Sequence, residues 1–129
     1  MNDYSLWGDL EAYANNLSRK RAAKNSVPYV DLTNYPLDHI VKFFGTDYFS
    51  NTVDYALALA IYEGFTEIDL YGVNMSYGGE YFWEKPGVEF WVGMALGRGI
   101  KVTVHGEKST IMRTKDGLLY GYGTPQKLT

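Results

Sequence analysis

Three stretches of this chain hold residue types that could do chemistry. Ser50-Asn51-Thr52 stands directly before an apolar helical pattern. The first turn of a helix has unpaired N–H groups and a positive dipole end, so hydroxyl and amide side chains there suit a phosphate or similar anion. They equally suit a plain N-cap, and Asp54 one turn further in would compete with an incoming anion. The second stretch, Asn74 to Pro86, is 13 residues long and carries Tyr77, Glu80, Glu84 and Lys85, with Glu89 just beyond. Paired carboxylates divide acid and base roles when their surroundings push their pKa values apart, which makes Glu80 and Glu89 the candidate catalytic residues. Asn74, Tyr77 and Lys85 are the candidate ligand contacts beside Ser50, Asn51 and Thr52. The third is His105, at the end of an apolar strand pattern, where a lone histidine is as a rule structural or solvent-facing. Ser50 has no histidine near it in sequence to act as its base, so it is not read as a nucleophile. No phosphate-binding lysine loop and no G-x-G-x-x-G occurs; Gly97-Arg98-Gly99 reads as a helix stop.

Composition narrows the classes. There are 129 residues, a size expected to form one continuous domain (1–129), with an N-terminal helical segment to residue 26 and a short tail from 123. With no cysteine and only His39 and His105, neither a thiolate metal site nor a histidine-rich one is expected, and no cofactor is implied. A net charge of −3 argues against a nucleic-acid backbone as partner. The absence of a long apolar run argues against a membrane span, so the expected compartment is the cytoplasm. Aromatic residues make up 16% of the chain; a small core that uses large rings for area is the first reading, and rings lining a ligand groove or a subunit interface are the second.

The elements that must position these residues alternate. Leu6, Leu10, Tyr13 and Leu17 predict a helix over 5–24, closed by the basic run Arg19-Lys20-Arg21 and Lys24. A strand follows at 27–32, then a short helix from Pro36 to Phe44 stopped by Gly45. Val53, Ala56, Leu57, Ala60 and Ile61 predict a helix over 52–63 with those residues as its buried face. A strand at 67–73, a loop over 74–86, and a helix at 87–97 on Val88, Trp91, Val92, Ala95 and Leu96 come next. A strand at 100–104 follows, with Leu118-Leu119-Tyr120 as a short extra one. Strands alternating with helices imply right-handed crossovers and a parallel sheet. The expected fold is therefore α/β: a small Rossmann-like three-layer domain with a short, mainly parallel sheet and helices on both faces. Ligands of such sheets collect beyond the strands' carboxyl ends, where 50–54, 74–86 and 105–109 would gather.

Between Val27 and Tyr122 the chain resembles a group of uncharacterised phage and prophage proteins. The resemblance is carried by Tyr48-Phe49-Ser50-Asn51-Thr52, Ala58-Leu59-Ala60-Ile61-Tyr62-Glu63-Gly64, Leu70-Tyr71-Gly72-Val73-Asn74-Met75, Gly97-Arg98-Gly99-Ile100-Lys101-Val102 and Leu119-Tyr120-Gly121-Tyr122. That group is similar, distantly, to the Rossmann-like sialyltransferase and archaeal pterin-pyrophosphokinase-like folds. The resemblance implies that Ser50-Asn51-Thr52 touches nucleotide phosphate or sugar and that Gly72-Val73-Asn74 closes the strand beside it. Three departures follow from the residues: Asn74 stands where an acid is usual, Asn51-Thr52 replaces Ser-Gly, and the loop histidine would fall at Phe82 or Trp83. Sialic acid transfer is therefore not implied. The relatives' first strand and glycine turn are also missing, so a second subunit would complete the site or catalysis would be lost.

The function implied is binding of a nucleotide or nucleotide-derived small molecule at the strand ends, or a diverged nucleotide-sugar transfer with Glu80 or Glu89 as general base. Two alternatives stand beside it. One is a non-catalytic protein that sequesters a nucleotide signal or contacts a host protein in the host cytoplasm. The other is a nucleoside deoxyribosyltransferase-like N-glycosidase, although Trp91 stands where that family's Glu would be. An uncovered sheet edge further implies a homodimer or higher even oligomer with 74–86 near the subunit boundary, unless the N-terminal helix covers that edge.

Overall fold

The computed structural model describes residues 34–127, so the expected helix 5–24 and strand 27–32 lie outside the described residues. Where length suggests one body, the chain divides into two compact units, Met1–Thr46 and Asp47–Thr129. The described part of the first holds helix α1, Leu37–Phe44. Pro36 precedes it at the capping position, and Gly45 closes it in the left-handed conformation with its N–H on the Val41 carbonyl at 2.8 Å. Asp38 in the first turn and Lys42 in the last suit the helix dipole, and Ile40 is fully buried.

The second unit is built from helix α2 (Thr52–Tyr62), strand β1 (Glu67–Leu70), a π-helical turn (Glu80–Glu84), helix α3 (Lys85–Gly97) and strand β2 (Lys101–Val104). The strands pair in parallel, Glu67 beside Lys101 through Leu70 beside Val104. Both helices hand over to their strands by the same device. Gly64 and Gly99 take positive φ, their N–H groups reach back to Ile61 and Leu96, and the next residues, Phe65 and Ile100, bond to Ala60 and Ala95. This double bond to the last carbonyls is a Schellman ending, and only glycine adopts its left-handed residue without strain.

Packing follows the sequence in one helix and departs from it in the other. In α3 the buried residues are Gly87, Val88, Trp91, Val92 and Ala95, the expected stripe except that Leu96 is half-buried and Gly87 joins it. In α2 they are Asp54, Tyr55, Leu57, Ala58 and Ile61, while Val53, Ala56 and Ala60 are only half-buried. The expected face is thus displaced by about one residue, or ~100° around the helix. Ala56 through Ile61 are apolar without interruption, so periodicity offers no contrast by which to choose a face. Packing against α3 makes the choice. The centre is aromatic: Phe49 stacks between Tyr55 (4.5 Å) and Trp91 (5.2 Å), and the Trp91 indole N–H donates to the Tyr48 carbonyl at 2.8 Å.

Three other expectations need correcting. The stretch before α3 is a loop only to Tyr77; from Gly78 it is helical, and the π turn Glu80–Glu84 runs directly into α3, which starts at Lys85 rather than 87. Pro86 reads as a breaker because a proline inside an α-helix loses one bond and clashes with the carbonyl four residues back. A wider π turn ahead of it, with the Lys85 N–H on the Glu80 carbonyl, accommodates the ring. Strand β1 stops at Leu70, three residues early, because Gly72 turns the chain with φ 71°. The extra strand at 118–120 is a single antiparallel bridge, Leu118 to Pro125.

What the described residues form is a small α/β arrangement with a two-stranded parallel sheet. Ile68, Leu70, Val102 and Val104 share one sheet face, and α3 packs on β2. Glu67, Asp69 and Lys101 lie on the other face and are exposed. No helix among the described residues is long and apolar enough to cross a membrane.

Candidate functional site at the strand ends

Both helices run antiparallel to the strands they feed, so their N-termini and the strands' carboxyl ends share one edge. Three groups of side chains occupy it.

The first is the start of α2. Asn51 caps the helix, its side-chain oxygen accepting the Asp54 N–H at 3.2 Å. Asp54 reaches back in turn: its Oδ2 accepts the Ser50 N–H at 2.8 Å and the Ser50 hydroxyl at 3.0 Å. This is a capping box shifted outward by one residue. The Asn51 amide donates to the Glu84 carbonyl at 3.1 Å, tying this helix start to the end of the π turn. Gly87 completes the closure, because a Cβ there would collide with the Ser50 hydroxyl and the Asp54 carboxylate. Asp54 is fully buried and its Oδ1 has no partner. Burial therefore pushes its pKa up to about 6, with Glu84 adding to the rise and the bonds from Ser50 and Asn51 opposing it. The donors expected to meet an external anion meet the protein itself: Ser50 gives its N–H and hydroxyl to the Asp54 carboxylate, and the Asn51 amide donates to the Glu84 carbonyl.

The second group is the stretch from Asn74 to Lys85. Its beginning is stitched to the segment after β2. The Ser109 hydroxyl donates to the Val73 carbonyl at 2.6 Å, the Thr110 N–H to the Asn74 carbonyl at 2.9 Å, and the Thr110 hydroxyl to the Met75 carbonyl at 2.9 Å. Met75 is buried with φ 53°, whereas Asn74 is exposed. Beyond it Tyr77, Tyr81, Phe82 and Trp83 are 52–81% exposed. Lys85 lies over the Tyr81 ring at 4.4 Å, a cation–π contact. The two candidate carboxylates do different things. Glu80 is exposed in the π turn, while Glu89 Oε2 accepts the Met112 N–H at 2.6 Å and so braces the chain after β2.

The third group joins His105, which the sequence offered as a lone histidine, to Asp69, which sequence reasoning passed over. Asp69 stands at a polar position of β1 opposite Thr103, His105 directly follows β2 two residues beyond Thr103, and His105 Nε2 lies 2.8 Å from Asp69 Oδ1. Tyr71 stacks on the imidazole at 4.2 Å and 6°. An ionised carboxylate accepts, so Nε2 must donate, which in the neutral ring leaves Nδ1 as the basic nitrogen. The pair is half exposed, so it contributes little to stability, and Tyr71 is 70% exposed. The cue in the sequence was the alternation itself. Asp69 and His105 interrupt apolar strands on the polar phase, yet only the strand register shows that they meet.

Among the described residues no group of three or more potential ligands could hold a metal ion. Compared with known protein families, curated proteins and solved structures, the chain matches none.

Proposed function

We propose that this chain is a small Rossmann-like domain that binds a nucleotide-type small molecule at the carboxyl ends of its parallel strands. The observation that carries this reading is the Asp69–His105 pair stacked against the exposed ring of Tyr71. It lies where ligands of parallel α/β sheets collect. A planar base would lie on Tyr71, and Asn74 and His105 would supply hydrogen bonds. The anionic end would face the loop after β2, which carries Lys108. The contribution to catalysis in this reading is proton removal at His105 Nδ1, held in orientation by Asp69. Glu89 takes no part in it, being engaged on Met112, and Glu80 stands exposed in the π turn.

A nucleotide, nucleoside and nucleotide-sugar panel read by thermal shift tests this. A ligand at 100 times its Kd adds about 2.7 kcal/mol to stability. Tyr71→Ala and His105→Ala are expected to abolish the shift, and Ser50→Ala to leave it. If no member of the panel moves the transition, or if the shift survives both strand-end substitutions, the reading falls.

The exposed aromatic residues from Tyr77 to Trp83 favour a second reading, in which this surface meets another protein chain, a second copy included. Light scattering across a concentration series addresses it directly. A constant mass of one chain removes the homodimer.

A further inference from the structure

On the apolar side of β2, away from the Asp69–His105 pair, a cleft of about 230 Å³ opens between the last turn of α3 and the segment after β2. Its walls are Leu96, Val104, Ile111 and Met112, and its charged groups are Arg113 and Lys127. We infer that this cleft binds a small carboxylate with an apolar body, the carboxylate meeting Arg113 and the body lying on the aliphatic walls.

Three observations converge on that class. Arg113 has no committed partner: its Nε is buried without an acceptor, and its Nη2 reaches only the Gly106 carbonyl at a long 3.4 Å. Among the described residues the ion pair is His105–Asp69, and no carboxylate pairs with Arg113 or Lys127. Arg113 and Lys127 thus bring two cations to one apolar cleft. A guanidinium is the side chain whose fork matches a carboxylate, and burial against apolar walls strengthens that match.

The wall is also built to hold its shape. Met112 sits at φ 58°, a conformation that non-glycine residues adopt rarely and at a cost. Both of its backbone groups are clamped, the N–H by Glu89 at 2.6 Å and the carbonyl by the Gln126 amide at 2.6 Å. Gln126 is itself fixed, its Oε1 accepting from the Thr114 N–H at 2.9 Å and hydroxyl at 3.0 Å. A strained residue braced on both sides in the wall of a cleft is a preformed surface, which lowers the ordering cost of binding. The volume lies below the ~300 Å³ at which drug-sized pockets begin, and at interior packing density it holds on the order of ten non-hydrogen atoms. Octanoate has that size and chemistry. The same chemistry is offered by the free carboxylate of a peptide ending in leucine.

Isothermal calorimetry on the full chain separates the outcomes. Octanoate is expected to bind saturably, 1-octanol and inorganic phosphate far more weakly, and Arg113→Gln to weaken octanoate about tenfold or more. Leu96→Trp fills the cleft and is expected to abolish binding. Should Arg113→Gln fail to fold, Lys127→Gln and the octanoate-to-octanol ratio in the wild type carry the test. A leucine-terminated peptide that binds with a free carboxylate but not as its amide, while octanoate does not bind, assigns the site to a chain terminus and upholds the inference. Failure of both octanoate and the peptide to bind overturns it, as does equal binding by Arg113→Gln or by inorganic phosphate. Retention of nucleotide-induced shifts in Leu96→Trp keeps this result separate from the strand-end reading.

Discussion

The N-termini of α2 and α3 lie at the same edge, touch through Asn51 and the Glu84 carbonyl, and are organised in opposite ways. The start of α2 is closed inward: Asn51 caps it, Asp54 is fully buried, and Ser50 spends its N–H and hydroxyl on that carboxylate. The start of α3 has no side-chain cap and is prolonged by a π turn with no buried residue. Both satisfy the orphan donors that every helix start leaves. One does it with a side chain from within and becomes structure. The other does it by extending the backbone helix, and so projects Tyr81, Phe82 and Trp83 outward. Changes at the closed end should therefore register as stability, and changes at the open end as binding or association.

The largest effect is expected where the two helix starts share one anchor. Trp91 on α3 is fully buried, stacks on Phe49 ahead of α2, and donates to the Tyr48 carbonyl. Trp91→Ala removes the ring and the indole bond to that carbonyl, at a cost of about 3–5 kcal/mol. Urea unfolding measures it. A loss below ~1 kcal/mol would mean that the two starts are not held together from beneath.

Glycine position sharpens the comparison. Gly87 and Gly93 both lie in α3, where alanine ordinarily adds about 0.5–1 kcal/mol. Gly93 meets nothing within 4 Å, and Gly93→Ala should give that gain. At Gly87 the added Cβ runs into the Ser50 hydroxyl and the buried Asp54 carboxylate, so Gly87→Ala should lose about 1–3 kcal/mol instead. Equal shifts in the two unfolding midpoints would dissolve the distinction between a closed and an open side of α3.

How much of this could be read beforehand depended on contrast in the sequence. The α3 stripe was legible because Glu89 and Gly93 interrupt Val88, Trp91, Val92 and Ala95. The α2 stripe was not, because the run from Ala56 to Ile61 is apolar all round and its partner chose the face. Both strands were legible from alternation, and their parallel pairing from the helix between them. The π turn was hidden by Pro86 and Gly78-Gly79, which spell a break in any α-helical reading. At the site, Ser50 and Asp54 are spaced as a capping pair, and that reading accounts for them. Asp69 and His105 lie 36 residues apart, and nothing short of the register joins them.

The closed end also carries a pH signature. Asp54 has its pKa raised from the ordinary 3.8 to about 6, first of all by burial. Between those values the folded chain keeps a proton that the unfolded chain has lost. The stabilisation is complete below ~4 and is lost as pH rises through ~6. The whole loss is about 2–3 kcal/mol, since holding a proton across each pH unit between the two values is worth about 1.4 kcal/mol. Asp54→Asn fixes the neutral form and should remove this component. Unfolding free energies of the two proteins should therefore converge near pH 4 and separate toward neutrality, with the variant falling less. Parallel curves over that range would show that the carboxylate is not confined as described.

The smallest effect on stability is expected at the open end. Trp83 is 71% exposed and Phe82 68%, their rings meeting edge to face at 5.0 Å with no burial of the π turn behind them. Removing an exposed ring sacrifices little apolar contact, so Trp83→Ala should change the unfolding free energy by no more than about 0.5 kcal/mol. The same substitution removes a large, rigid contact surface of the kind that anchors interfaces. If this end serves association, Trp83→Ala should lower the weight-average mass at high protein concentration while leaving the urea midpoint of dilute protein unchanged. A fall in the dilute midpoint as large as that of Gly87→Ala would place Trp83 with the core. The contrast between the two helix starts would then be one of degree only.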